Sequence, residues 1–177
     1  MKLRQFLFCI LISKGCFAQI FTTVNAHVDF ISEAPLEIIE ASTEQLQGVL
    51  NLSKNTFAFK MYIKSFDGFN SQLQRVHFYE NYMEANDFPV ATFKGKILEE
   101  VSRQKTNYRA KGILSIHGID ADRIIEIELK IGEEELDFSS TFNVALADHD
   151  IELPRIVYQK IAETIKINVR GTMQIKK

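Results

Sequence analysis

The sequence predicts an all-β fold, in which antiparallel strands close around one core as a sandwich or as a barrel. Apolar and polar residues alternate with a period of two in several segments, which is the pattern of a strand with one buried face. Short polar or glycine-bearing links of hairpin type join the segments at residues 53–55, 117–120 and 132–134. No helical crossover of the kind that joins parallel strands recurs between them.

The predicted strands follow one another along the whole chain. The clearest are residues 56–66, where every second residue from Phe57 to Ile63 is apolar, and residues 125–131, whose polar face is fully charged. The remaining predicted strands are residues 24–30, 37–43, 46–52, 91–98, 108–116, 138–146 and 165–169 continuing towards 175. That is about the number of strands needed to close a small barrel.

One helix interrupts the strands. We expect it to begin near Ser71, whose hydroxyl can cap the first turn while the Gln74 side chain reaches back in a capping box. It should end before Phe88 and Pro89. Its aromatic residues cover a broad arc of the helix surface, so we expect this face to pack on an apolar surface.

The first residues have the pattern of a secretory signal peptide. Lys2 and Arg4 form a short basic region, and residues 6–13 are apolar. We expect cleavage that leaves residues 1–18 as the signal peptide and residues 19–177 as one folded domain, in a periplasmic or secreted protein. The apolar run is far shorter than the roughly 20 residues of a membrane span, and no later stretch reaches that length.

The two cysteines bear on processing and on stability. Gly15 before Cys16 suggests the alternative of a lipoprotein acylated at the cysteine, but Ser13 and Lys14 fit that motif poorly. Because Cys9 and Cys16 both lie in the predicted signal peptide, the domain has no disulfide. Its own core must hold it together.

Charge excludes one class of partner. Without residues 1–18 the chain has 18 basic and 23 acidic residues, and its net charge is −5. An acidic chain with no basic cluster argues against nucleic acid as a partner, because phosphate binding needs a positive surface. A homodimer is left open.

Two motifs carry a resemblance to a known family. Residues 77–95 read HFYENYMEANDFPVATFKG, and residues 114–118 read LSIHG, with Ser115 where the family usually has Thr. From about Ala26 to the C-terminus the chain resembles the YceI-like family of secreted lipid-binding proteins. The resemblance implies an extended eight-stranded antiparallel barrel, likened to a lipocalin, that holds a long apolar chain of polyisoprenoid, fatty acid or fatty amide type.

The resemblance also implies a ligand site without catalytic residues, cofactor or metal. Inward residues of the strands are the candidate tunnel wall: Phe57, Phe59, Met61, Ile63, Phe93, Leu114, Ile127, Leu129, Phe142 and Val144. Four residues of the aromatic helix are a candidate lid over one barrel mouth: Phe78, Tyr79, Tyr82 and Met83. The chain has 14 Phe and no Trp, and flat rings suit a lined tunnel.

The same residues allow three other functions. The same apolar residues can simply fill the core of a barrel that acts as a protein interaction or structural module. A metal site could draw on His27, His77, His117 and His149, but these lack the helical pairing or Cys spacing typical of zinc sites. A hydrolase could be assembled from Ser139, Ser140 and His149, but no nucleophile elbow is present.

Overall fold

Nine antiparallel strands form one continuous sheet. The structure is a computed structural model that describes residues 20–176; the predicted signal peptide lies outside the described residues. The strands are β1 (Ile20–Glu33), β2 (Ile38–Thr43), β3 (Gln47–Asn51), β4 (Thr56–Tyr62), β5 (Val90–Ile97), β6 (Asn107–Ile116), β7 (Ile119–Ile131), β8 (Glu135–Ala145) and β9 (Thr164–Ile175). From β3 to β9, each strand pairs with the next strand along the chain, as predicted for strands joined by hairpins.

The first strand closes the sheet into a barrel. One edge of β1 pairs with β9 from Phe21↔Ile175 to Ile31↔Lys166. The other edge pairs with β3 at its start and with β2 at its end. The result is an eight-stranded barrel with β2 as an extra strand, so the predicted barrel is confirmed and the sandwich alternative is wrong.

Two strands are longer than their sequence patterns indicated. In β1 a bulge between Thr23 and Asn25 changes which face each residue occupies, so one alternation cannot run through the strand. At the start of β7 the partly buried positions hold Ala121 and Arg123. Neither is a large apolar residue, so the alternation of apolar residues does not mark this part of the strand.

One strand is shorter than predicted. β4 ends at Tyr62, and Ile63–Ser65 form a 3₁₀ turn. The Ile63 N–H donates to the Pro89 carbonyl and the Ser65 hydroxyl to the Tyr62 carbonyl. The Ser65 bond closes the turn that takes the chain away from the strand, while Ile63 remains buried.

The helical segment consists of α1 (Gln72–His77) and a π-helical turn (Phe78–Tyr82). The predicted Ser71 cap is confirmed, since its hydroxyl accepts from the Gln74 N–H at 3.1 Å. The predicted reciprocal bond is different: the Gln74 side chain accepts from the Asn70 N–H, not from Ser71. Further 3₁₀ turns are Leu146–His149 and Arg155–Val157.

The two ends of the barrel differ. At one end, which we call the filled end, buried side chains pack into a continuous cluster: Phe21, Leu50, Phe57, Ile97, Tyr108, Ala110, Leu129, Leu136 and Met173. The opposite end, which we call the wide end, is covered by β2, the helical segment and the chain that precedes β9. The candidate functional site lies towards this wide end.

Candidate functional site

An apolar cavity of about 130 Å³, which we call the inner cavity, lies in the middle of the barrel. Side chains that alternate inward along the strands line it. Most of the predicted wall residues are brought together here: Phe57, Phe59, Met61, Phe93, Leu114, Ile127, Leu129 and Phe142.

A second cavity of about 480 Å³, the outer cavity, lies at the wide end. The other two predicted wall residues, Ile63 and Val144, line this outer cavity instead of the inner one. Met61, Ala91 and Ile167 line both cavities, so the two adjoin. Together they form an apolar path from the wide end into the barrel.

An aromatic cluster forms one side of the outer cavity. Phe78, from the helical segment, stacks on Phe30 of β1 with ring centroids 5.2 Å apart, and its ring lies 5.1 Å from that of Phe69. Phe66 joins them at 5.3 Å from Phe30. Such tilted and offset ring contacts stabilise a packed aromatic surface beyond the area they bury.

The four predicted lid residues do not share one position. Phe78, Tyr82 and Met83 line the outer cavity, whereas Tyr79 lines neither cavity. The Tyr79 hydroxyl donates to the Phe66 carbonyl and thereby ties the helical segment to the chain after β4. Burial raises the pKa of both tyrosines, so both hydroxyls keep their protons at neutral pH.

The family is decided by a match over nearly the whole domain. The model of the YceI-like domain matches residues 21–173. The chain belongs to the YceI-like domain family. A comparison with curated proteins finds no match to this sequence.

Solved structures resemble this YceI-like domain at low sequence identity. BcnA of Burkholderia cenocepacia has a TM-score of 0.70 at 13% identity, over 83% of this chain and 95% of that one. A polyisoprenoid binding domain from Saccharophagus degradans has a TM-score of 0.71 at 10% identity, over 90% and 99%. The YCEI protein of Campylobacter jejuni has a TM-score of 0.64 at 17% identity, over 77% and 85%. These likenesses support the same fold.

Polar residues that sequence reasoning missed stand at the outer cavity of this YceI-like domain. Glu37, Gln74, His77 and Lys160 line it together with apolar residues. The Gln74 amide donates to the Glu37 carboxylate at 3.0 Å, which joins the β1–β2 turn to α1. They come from three separate segments, so no local motif in the sequence announces them.

A buried histidine lies near the β6–β7 hairpin at the wide end. His149 is fully buried, and its Nδ1 donates to the Ile119 carbonyl at 3.1 Å. Its Nε2 has no hydrogen-bond partner within residues 20–176. Burial lowers the pKa of His149, and the nearby Arg123 guanidinium lowers it further against the opposing effect of Asp148. The imidazole is therefore held uncharged.

The neighbouring His117 connects the hairpin to the helical region. It occupies a turn with Gly118, both at positive φ, as a two-residue type I′ hairpin requires. Its Nδ1 donates to the His149 carbonyl at 3.2 Å, and its Nε2 lies 3.0 Å from the Glu84 carboxylate. His117 therefore holds three segments together.

The residues of the enzyme alternatives have separate partners. The Ser140 hydroxyl donates to the Glu126 carbonyl at 2.7 Å and that of Ser139 to the Glu128 carboxylate, whereas His149 is bonded to Ile119. In the described part of the chain no group of three His, Cys, Asp or Glu residues is placed to hold a metal. Nor is any helix there long and apolar enough to cross a membrane.

Proposed function

We propose that this YceI-like protein binds an amphiphilic lipid, of polyisoprenoid, fatty acid or fatty amide type, with the apolar chain in the adjoining cavities. The observation that carries the proposal is the continuous apolar path shared at Met61, Ala91 and Ile167. The polyisoprenoid binding domain from Saccharophagus degradans has the same fold, which supports an isoprenoid among the candidate ligands.

The residues that line the two cavities fit this role. A tail needs no specific polar motif to bind, because the burial of ten methylenes contributes roughly 8 kcal/mol. That corresponds to a micromolar dissociation constant before the entropic costs of association. The polar groups at the outer cavity, Glu37, Gln74, His77 and Lys160, are placed to remain near the ligand's polar end.

We further propose that the protein is exported and acts as a lipid carrier or in envelope stress. The residue pattern of positions 1–18 supports export. A barrel without a catalytic constellation among its described residues suits a carrier that binds and releases its ligand unchanged.

The second candidate is a filled barrel that acts through its surface. The small volume of the inner cavity, about 130 Å³, favours it, since small-molecule pockets commonly measure about 300 to 1,000 Å³. The outer cavity lies within that range at about 480 Å³. The choice between the two candidates therefore depends on whether a ligand enters.

Mass spectrometry of the gently purified protein tests this choice. Native and denatured spectra are compared, and any small molecule released into organic solvent is identified. A stoichiometric apolar chain supports the carrier and names its ligand. A protein that is empty and also takes up neither isoprenol nor fatty acid probes contradicts it.

A matched pair of variants places the ligand. Met61 lines both cavities, whereas the next residue, Tyr62, lines neither and is 45% exposed. We expect Met61→Glu to reduce uptake of a fatty acid probe at least tenfold, because it puts a carboxylate on the apolar path. Tyr62→Glu should bind like wild type. Equal binding by a folded Met61→Glu protein would place the ligand elsewhere.

A further inference from the structure

Two phenylalanine rings meet across the barrel interior. Phe59 on β4 and Phe138 on β8 have ring centroids 5.5 Å apart. Strands β5, β6 and β7 separate β4 from β8 on one side, and β3, β1 and β9 separate them on the other. The two strands therefore face each other, and the ring pair spans the lumen.

The local backbone leaves room for this position. Gly48 on β3 pairs with Phe59, and a Cβ atom at Gly48 would lie 2.2 Å from the Phe59 ring. On the other wall Phe138 pairs with Gly171 of β9. A glycine thus pairs with each phenylalanine, and at Gly48 a larger side chain would compete with the Phe59 ring for space.

The pair also lies where the inner cavity meets the filled cluster. The next inward residues towards the filled end are Phe57 on β4, which borders the cavity and is 6% exposed, and Leu136 on β8, which lies outside the cavity and is 0% exposed. Towards the wide end the next apolar inward residues are Met61 and Phe142, which line the inner cavity and are only partly buried. The pair itself lines this cavity and packs on the filled cluster.

We propose that the Phe59–Phe138 pair sets the length of the apolar chain that the barrel accepts. This proposal rests on the proposed lipid-binding function and assigns its selectivity. A chain that enters from the wide end passes Met61 and then meets the two rings. The part of a longer chain that cannot pass the rings stays outside the barrel, and its methylenes gain no burial.

Removal of one ring should deepen the apolar path by one layer of side chains. Two residues along a strand are about 6.6 Å, which a strand tilt of about 40° reduces to about 5 Å along the barrel axis. Each methylene that becomes buried should strengthen binding about fourfold. Affinity should therefore rise with chain length up to a break point and then stop rising.

The test measures this break point with two probe series, saturated fatty acids and linear isoprenols of increasing length. Dissociation constants for the whole protein are compared by competition and native mass spectrometry. Phe59→Ala and Phe138→Ala should each move the break point to longer chains. Phe59→Leu, which keeps more of the side-chain volume than alanine does, should move it less and keeps the test decisive if an alanine variant fails to fold.

Phe88→Ala is the control for loss of an aromatic ring as such. The Phe88 and His117 ring centroids are 4.7 Å apart, and Phe88 lines neither cavity. The break point of the Phe88→Ala variant should therefore equal that of wild type. An unchanged break point in folded Phe59 and Phe138 variants that still bind would overturn the length-setting role. Absence of binding at every chain length in wild type would instead refute the proposed function itself.

Discussion

The filled and wide ends of this barrel are made by the same strands but are packed differently. At the filled end, Phe21, Leu136 and Met173 are each at most 1% exposed. At the wide end the same strands surround the outer cavity of about 480 Å³. One end is therefore closely packed, while the other leaves apolar surface uncovered.

Each end is covered by a segment tied to the barrel by a tyrosine hydroxyl. At the filled end Tyr108 accepts from the Ser102 N–H at 3.1 Å and lies 2.7 Å from the Lys105 carbonyl. At the wide end Tyr79 donates to the Phe66 carbonyl. The same chemistry thus holds a loop over a packed core at one end and the helical segment beside a cavity at the other.

The largest expected difference between the ends is in the free energy of unfolding. Leu136→Ala should destabilise the protein by about 3 to 5 kcal/mol, because it leaves a hole in a fully packed cluster. Leu153→Ala, which only widens the outer cavity, should cost less than about 1.5 kcal/mol. Urea unfolding of both variants measures the difference, and equal losses would show that the ends are equally packed.

The next effect is a pH dependence at the wide end. His149 has a lowered pKa when folded, so below its unfolded value of about 6.5 the unfolded chain binds more protons. Its contribution to stability is present above that pH and is lost as pH falls below it, by up to about 1.4 kcal/mol per pH unit. His149→Gln should flatten this part of a stability profile measured by urea unfolding.

At the filled end, Glu99 contributes to the pH dependence of stability in a different pH range. The Arg109 backbone N–H and guanidinium, 2.8 and 2.7 Å away, lower the pKa of Glu99 to about 2. Its contribution is present above the ordinary value of 4.5 and is lost as pH falls through about 2. Glu99→Gln should therefore flatten the profile below pH 4.5 and leave the slope between pH 4.5 and 6.5 in place, and a loss of slope above pH 4.5 instead would contradict the assignment.

The smallest effect separates the two tyrosines. Tyr79→Phe and Tyr108→Phe should each cost about 1 kcal/mol of stability, because each leaves a backbone carbonyl without its donor. Only Tyr79→Phe should speed the exchange of a bound fatty acid, measured by stopped-flow fluorescence. Faster exchange in Tyr108→Phe as well would mean that ligand also passes the filled end.

Much of the architecture was predictable because it depends on residues close together in the chain. The alternation in β4 and β6, the short hairpin links and the Ser71 cap all follow from neighbouring side chains. The same alternation brought most predicted wall residues to one cavity, since inward positions of a closed barrel face a common interior.

The alternation in the sequence thus determined most of the strands and the side of each that faces inward, while the barrel was implied by the family resemblance and not by the alternation itself. Only the tertiary structure decided where the interior is full and where it is open, because that depends on rings such as Phe59 and Phe138 meeting from positions far apart in the chain. The tertiary structure also decided three further features: the bulge in β1, the burial of His149, and the position of Tyr79 outside both cavities. Each is set by partners that fold against it, and no local pattern records them.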